Sequence, residues 1–84
     1  MSLAEMNAEW SDALKASTRE AIETLDVMPS REGRVAFKHV GGGFASIDIR
    51  DLFRGVLRVV DRRTGAETVF ANADQLIQAG WAID

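Results

Sequence analysis

The stretch "SIDIRDLFRGVLRVVDRRTG", residues 46–65, decides the fold, because its spacing suits a helix and its composition suits strands. Its apolar residues recur at the intervals of one helix face: Ile49, Leu52, Phe53, Val56, Leu57 and Val60. Every fourth residue is an arginine, which gives the column Arg50, Arg54, Arg58 and Arg62. The stretch is therefore either one helix with a basic stripe or two strands joined by a turn.

Local energetics favour the strands. In a helix, the arginine column would place like charges four residues apart, and each such pair is unfavourable by about 0.2–0.5 kcal/mol. Gly55 inside that helix would cost about 1 kcal/mol relative to alanine. The stretch is also rich in β-branched residues, which pack well in sheets. We therefore expect strands over 44–51 and 56–62 with a turn at 52–55, and a helix over 49–60 is the alternative.

Ahead of this stretch, the sequence predicts a helix over 3–26. Ser2 begins a capping box, in which a serine hydroxyl and a following glutamate satisfy free backbone N–H groups, although a start near Asn7 is an alternative. Apolar or small residues then recur near every 3.6 residues: Leu3, Met6, Trp10, Leu14, Ala21 and Leu25. Pro29 disfavours helical geometry at the residue before it, so we expect the helix to end near Asp26.

The remaining sequence predicts further strands and a second helix. Alternating residues over 34–40 and 66–70 indicate strands bounded by glycine-containing turns. Asn72 is a suitable N-cap for a short helix through Ala79, and Gly80 suits the left-handed position that ends helices. An extended tail then follows within 72–84. The predicted fold is α+β: an N-terminal helix, a four-stranded antiparallel meander over 34–70 and a short C-terminal helix, with the helices on one face.

Composition indicates one soluble domain. The 84 residues are 46% hydrophobic and 27% charged, as in ordinary folded proteins, and they include no cysteine. Disulfides and thiolate metal sites are therefore excluded, and no apolar run approaches the roughly 20 residues that span a bilayer. We expect a cytoplasmic protein without a membrane partner.

Charge is unevenly distributed along the chain. Residues 1–30 have two basic and six acidic side chains, 31–63 have eight basic and four acidic, and 64–84 have three acidic only. These segments sum to the net charge of −3. The simplest expectation is that the acidic and basic segments neutralise one another in the folded chain.

The chain offers little for catalysis. His39 is the single histidine, so we expect no metal site. Ser46 and Asp48 lie across the predicted hairpin from His39, but we do not expect these three residues to form a catalytic triad. The turn at 41–43 is glycine-rich but lacks the lysine of a phosphate-binding loop. We therefore expect a non-catalytic protein without a cofactor.

The basic middle of the chain contains the candidate binding residues for nucleic acid or an acidic partner. They are Lys38, Arg50, Arg54, Arg58 and Arg62, with Phe44 and Phe53 as candidate stacking rings. Arginines and aromatic rings on an open antiparallel sheet bind single-stranded nucleic acid, because the cations meet phosphates and the rings stack on bases. A small-ligand pocket near Trp10 and Trp81 is a third, weaker alternative.

The segment Ile47–Asp51 resembles a strand of a family of transcriptional coactivators, sheet proteins that bind single-stranded DNA as dimers. Residues 70–76 resemble that family's last strand and the start of its helix. The likeness covers a small part of the chain, and the lysine- and glycine-rich segment expected between those elements is absent. We do not assign the chain to that family.

The leading expectation is a small interaction or regulatory module that acts through protein contacts. A homodimer is expected about as readily as a monomer, because either the apolar face of the first helix or an open sheet edge can pair with a second copy. A single-stranded nucleic-acid-binding module that uses an arginine-bearing sheet face is the alternative.

Overall fold

The computed structural model describes residues 9–84 of the chain. Its elements follow in the order α1 (Asp12–Thr24), β1 (Arg34–His39), β2 (Phe44–Asp48), α2 (Ile49–Phe53), β3 (Leu57–Asp61), β4 (Glu67–Phe70), α3 (Ala73–Gln78) and β5 (Trp81–Ile83). The strands form one antiparallel sheet in the order β4-β3-β2-β1-β5. The predicted α+β class, with a helix before an antiparallel sheet, is confirmed.

The sheet described within residues 9–84 has five strands, one more than the predicted four-stranded meander. The expected C-terminal tail is β5, which pairs with β1 and places Trp81 opposite His39. Gly80 adopts the predicted left-handed backbone, with φ 103°, and turns the chain from α3 into β5. Asn72 caps α3 as predicted, because its side chain accepts a hydrogen bond from the backbone N–H of Gln75.

Residues 46–65, for which the sequence offered strands or one helix, contain both a short helix and a strand. The predicted strand over 44–51 is wrong from Ile49 onward, because Asp48 ends β2 and caps α2 by accepting a 2.8 Å hydrogen bond from the backbone N–H of Arg50. The predicted turn at 52–55 begins inside α2, and Gly55, with φ 75°, follows it. The strand prediction for 56–62 is confirmed in β3.

Within residues 9–84, the helix predicted over 3–26 is present as α1, which begins only at Asp12. Ser11 caps α1, its hydroxyl accepting from the backbone N–H of Leu14, and residues 9–11 are not helical. The predicted start at Ser2 and the alternative start near Asn7 both lie outside the described residues. The helix ends at Thr24, close to the predicted end, where Leu25 adopts φ 59°.

Within the described residues, helices α1, α2 and α3 share one hydrophobic core with one face of the sheet. Ile22 of α1, Leu52 of α2 and Leu76 of α3 belong to the same buried cluster as Val35 and Phe37 of β1. This places the helices on one face, as predicted. Within residues 9–84, none of the helices has both the length and the apolarity to cross a membrane.

Candidate functional site

The sheet face opposite the helices is the candidate functional surface, and we call it the outer face. Side chains alternate along a strand, so residues next to the buried Val35, Phe37 and Ile47 point to this face. The strand register then assigns it Arg34, Ala36, Lys38, Phe44, Ser46, Asp48, Arg58, Val60, Glu67 and Val69.

The arginine column does not form one surface. Arg50 lies on α2, with its guanidinium 2.9 Å from Asp48. Arg54 caps the end of α2 and lies 2.6 Å from the buried carboxylate of Asp51. The prediction that Arg50 belongs to a strand face is therefore wrong, and its charge and that of Arg54 are matched by carboxylates.

Arg58 is on the outer face, as predicted, but its charge is also matched. Its guanidinium nitrogens lie 3.5 Å from Asp51 and 3.7 Å from Glu67. Since Asp51 is buried and shared with Arg54, it fixes two arginines against α2 and β3. Three of the four arginines in the column are therefore ion-paired.

The ion pair between Asp48 and Arg50 shifts the pKa of both groups. The side-chain hydrogen bonds from the Arg50 guanidinium, followed by the Arg50 backbone N–H, hold the pKa of Asp48 well below its usual range. The same carboxylate raises the pKa of Arg50. Both groups therefore stay charged across the ordinary pH range, and they neutralise each other.

A different group of predicted residues is brought together by the sheet. Lys38 and Phe44 are directly opposite each other on β1 and β2. The backbone N–H of Arg62 donates a 3.0 Å hydrogen bond to the carbonyl of Phe44, which places Arg62 on the other side of the ring. We call Lys38, Phe44 and Arg62 the Phe44 platform.

The platform combines an exposed ring with two cations that have no carboxylate partner among the described residues. Phe44 is 51% exposed, although it lies within a strand. Among residues 9–84, neither Lys38 nor Arg62 lies within ion-pair distance of an acidic side chain. The nearby Asp61 instead accepts hydrogen bonds from the backbone N–H groups of Arg63 and Thr64, and these bonds lower its pKa.

An aromatic ring that the sequence did not assign to the site extends the platform. The Lys38 ammonium lies 5.1 Å from the centroid of Trp10, within the range of a cation–π contact. The Trp10 indole N–H donates a 2.9 Å hydrogen bond to the carbonyl of Gly80, which holds the ring beside β5. Rings and cations therefore alternate across the sheet as Trp10, Lys38, Phe44 and Arg62.

Two further basic residues belong near this surface. Arg34 is on the outer face and donates a weak 3.4 Å hydrogen bond to Ser46, but it is opposite Asp48 in the register. Its spacing of four from Lys38 in a strand already places both on one face, a signal that the sequence interpretation missed. Arg63 lines a cleft of about 340 Å³ beside the glycine turn, together with Phe44 and Arg62.

Phe53 is separate from the platform. It lies at the end of α2, is 65% exposed, and borders the ion-paired arginines. A small-ligand pocket was predicted near Trp10 and Trp81, and a cleft of about 520 Å³ in this region is lined by Trp10 but not by Trp81. The charged side chains that line this cleft are paired with one another, Lys15 with Glu9 and Arg19 with Asp74.

His39 has a structural environment. One ring nitrogen lies 2.8 Å from the carbonyl oxygen of Ala79, and the other accepts a hydrogen bond from the backbone N–H of Gly41. The ring packs edge to face on Trp81, with 4.8 Å between the centroids. In the described part of the chain, no group of three or more histidine, aspartate or glutamate side chains is placed to hold a metal ion.

Comparison of the chain with protein-family models, with curated proteins and with solved structures finds no match.

Proposed function

We propose that the protein is a non-catalytic interaction module that binds an acidic segment of a partner protein on the Phe44 platform. The observation that supports this function is the half-exposed Phe44 ring between two cations that have no carboxylate partner among residues 9–84. Exposed aromatic and arginine side chains are typical anchors of protein interfaces, because they offer large contact area together with directional polar groups.

The chemistry of the platform defines the segment that fits it. An apolar side chain can pack on Phe44 while carboxylates on either side of it reach Lys38 and Arg62. Because neighbouring strands are about 4.8 Å apart, the two cations are separated by roughly two strand spacings, or about 10 Å. A segment in which acidic residues flank an apolar residue satisfies all three side chains.

Single-stranded nucleic acid is the second candidate, and one observation favours it. The alternation of Trp10, Lys38, Phe44 and Arg62 matches the arrangement in which bases stack on rings and phosphates meet cations. Affinity for a phosphate backbone grows with the number of phosphates that are neutralised, however, and the platform supplies only two cations. We therefore rank this function below the acidic protein segment.

The test is a binding titration with two labelled probes. One is a fluorescein-labelled peptide in which glutamate and leucine alternate, and the other is a labelled oligothymidine with the same number of negative charges. Anisotropy is followed at about 50 and 200 mM salt, because phosphate contacts weaken steeply over that range. We expect the peptide to bind more tightly than the oligonucleotide, and the reverse order would favour the second candidate.

Matched variants locate the site. Phe44→Ala should weaken peptide binding by about tenfold, the equivalent of about 1.4 kcal/mol, whereas Phe53→Ala removes a more exposed ring outside the platform and should change nothing. Arg62→Gln should also weaken binding, and Arg50→Gln is its control because Arg50 is ion-paired on α2. Equal losses in both members of a pair, or no binding of either probe, would contradict the proposal.

A further inference from the structure

The two edges of the sheet differ in how they are protected. At the β5 edge, the backbone N–H of Ile83 donates a 3.1 Å hydrogen bond to the hydroxyl of Thr18 on α1. Thr18 is fully buried, so α1 covers this edge. At the β4 edge, no element within residues 9–84 pairs with the free side of the strand.

The free side of β4 presents backbone hydrogen-bonding groups. The backbone N–H of Asp61 donates to the carbonyl of Ala66, so the alternation of antiparallel pairs makes Thr68 the next residue bonded to β3. Glu67 and Val69 therefore direct their N–H and C=O groups away from the sheet. The strand has no proline or lysine to block pairing, and Val69 is 61% exposed.

We propose that β4 pairs with β4 of a second copy of this chain, antiparallel and with the two-fold axis at Thr68. In this register, Glu67 of each copy is opposite Val69 of the other, and all of the outward N–H and C=O groups of these residues are satisfied. The proposal does not depend on the function of the Phe44 platform.

Charge complementarity selects both the partner and the register. Arg58 is opposite Val69 on the neighbouring strand, so a Glu67 of the second copy, placed beyond Val69, comes within reach of the long Arg58 side chain. The two-fold symmetry creates this contact twice. In its own chain, the Arg58 guanidinium is 3.5 Å from Asp51 and 3.7 Å from Glu67, so in the dimer it lies among three carboxylates, two of which are those of the Glu67 pair.

The other symmetric registers are less favourable. An axis at Glu67 places two carboxylates directly opposite each other, which is destabilising in a sheet. An axis at Val69 pairs Glu67 with Ala71, whose backbone N–H already donates to the side chain of Gln75. The register with Thr68 on the axis avoids both problems.

Engineered cysteines test this register directly, because the 84-residue sequence has no cysteine. Thr68 faces itself in a non-hydrogen-bonded pair with about 4.5 Å between Cα atoms, which lies within the range that a disulfide bridges. We expect Thr68→Cys to form a disulfide-linked dimer under mild oxidation. Val69→Cys alone should not, whereas a mixture of Val69→Cys with Glu67→Cys should. Thr64→Cys, in the exposed turn before β4, is the control.

Sedimentation of the unmodified full chain over a concentration series tests the dimer itself. We expect a reversible dimer, and Val69→Asp should shift it to monomer, because the new carboxylate faces Glu67 of the second copy. Thr64→Asp makes the same charge change in the turn and should leave the dimer intact. A monomer throughout the series, a dimer that Val69→Asp does not affect, or equal cross-linking at residues 64 and 68 would overturn the proposal. Circular dichroism establishes that each variant is folded.

Discussion

Gly80→Ala should be the most destabilising single-methyl change at the turn between α3 and β5. Gly80 has φ 103°, and a Cβ added there would lie 2.6 Å from Nε2 of His39. The ring cannot retreat freely, because its nitrogens contact Ala79 and Gly41 through hydrogen bonds. The substitution therefore combines backbone strain with displacement of a fixed ring.

The cost follows from these two contributions. A non-glycine residue in left-handed geometry costs about 1–2 kcal/mol. Displacing His39 breaks two hydrogen bonds, each with a net contribution of about 0.5–1.5 kcal/mol. We expect the free energy of unfolding to fall by about 3 kcal/mol, and the Tm by roughly 12–24 °C for a domain of this size.

Urea unfolding followed by tryptophan fluorescence measures this change, since both Trp10 and Trp81 lie beside Gly80 or its neighbours. Gly42→Ala is the matched control, because Gly42 has φ 106° but no atom within 4 Å of the added Cβ. Gly42→Ala should show only the cost of the backbone strain. In a His39→Ala background, Gly80→Ala should cost no more than that control. If Gly80→Ala and Gly42→Ala are equally destabilising in the natural chain, the argument from His39 is wrong.

Thr18→Val should lower the free energy of unfolding by about 1–3 kcal/mol and speed hydrogen exchange at the Ile83 amide, because it removes the acceptor of that N–H. Thr18→Ser keeps the hydroxyl and should leave both the stability and the exchange rate close to those of the unsubstituted chain. Asp51→Asn should lower the free energy of unfolding in urea by about 1.5–3 kcal/mol, because the buried carboxylate of Asp51 accepts a hydrogen bond from the charged guanidinium of Arg54. An unchanged urea midpoint would contradict this role. Asp48→Asn should reduce stability at pH 7 and flatten its acid dependence. The folded chain lowers the pKa of Asp48, so its stabilisation is complete above the unfolded pKa of about 3.9 and is lost as the pH falls toward the folded value. Urea midpoints measured from neutral to strongly acid pH check this sign, and parallel curves for the two chains would refute it.

Local signals predicted most of the fold, and the failures fall where a local signal was too short or was ambiguous. Asn72 and Gly80 were identified because capping and left-handed geometry depend on single residues. By contrast, β5 has three residues, too few for alternation to be recognised, and its pairing with β1 joins distant parts of the chain. The one-turn helix α2 depends on Asp48 as its cap, a role that an alternating strand pattern concealed.

In the candidate site, the sequence identified the binding residues but not how they lie relative to one another. Lys38, Phe44 and Arg62 were each predicted as binding residues, but their juxtaposition depends on strand register, which the sequence does not determine on its own. The regular spacing of the arginines would form a single basic stripe only in the helix alternative, and in the fold the carboxylates of Asp48 and Asp51 match the charges of the first three. Arg62 differs from them because the nearby Asp61 accepts hydrogen bonds from its own turn.

The proposed dimer and the Phe44 platform are linked by geometry but can be tested separately. A two-fold axis at Thr68 that continues an antiparallel sheet is perpendicular to it, so both outer faces lie on the same side of the extended sheet. A ligand with two acidic segments would then bind both platforms, and its apparent affinity would exceed that of one segment without any new contact. Val69→Asp should remove only this gain, because it separates the copies and leaves each platform intact. Phe44→Ala should weaken one-segment and two-segment ligands alike, so the two variants distinguish a failure of the dimer from a failure of the binding site.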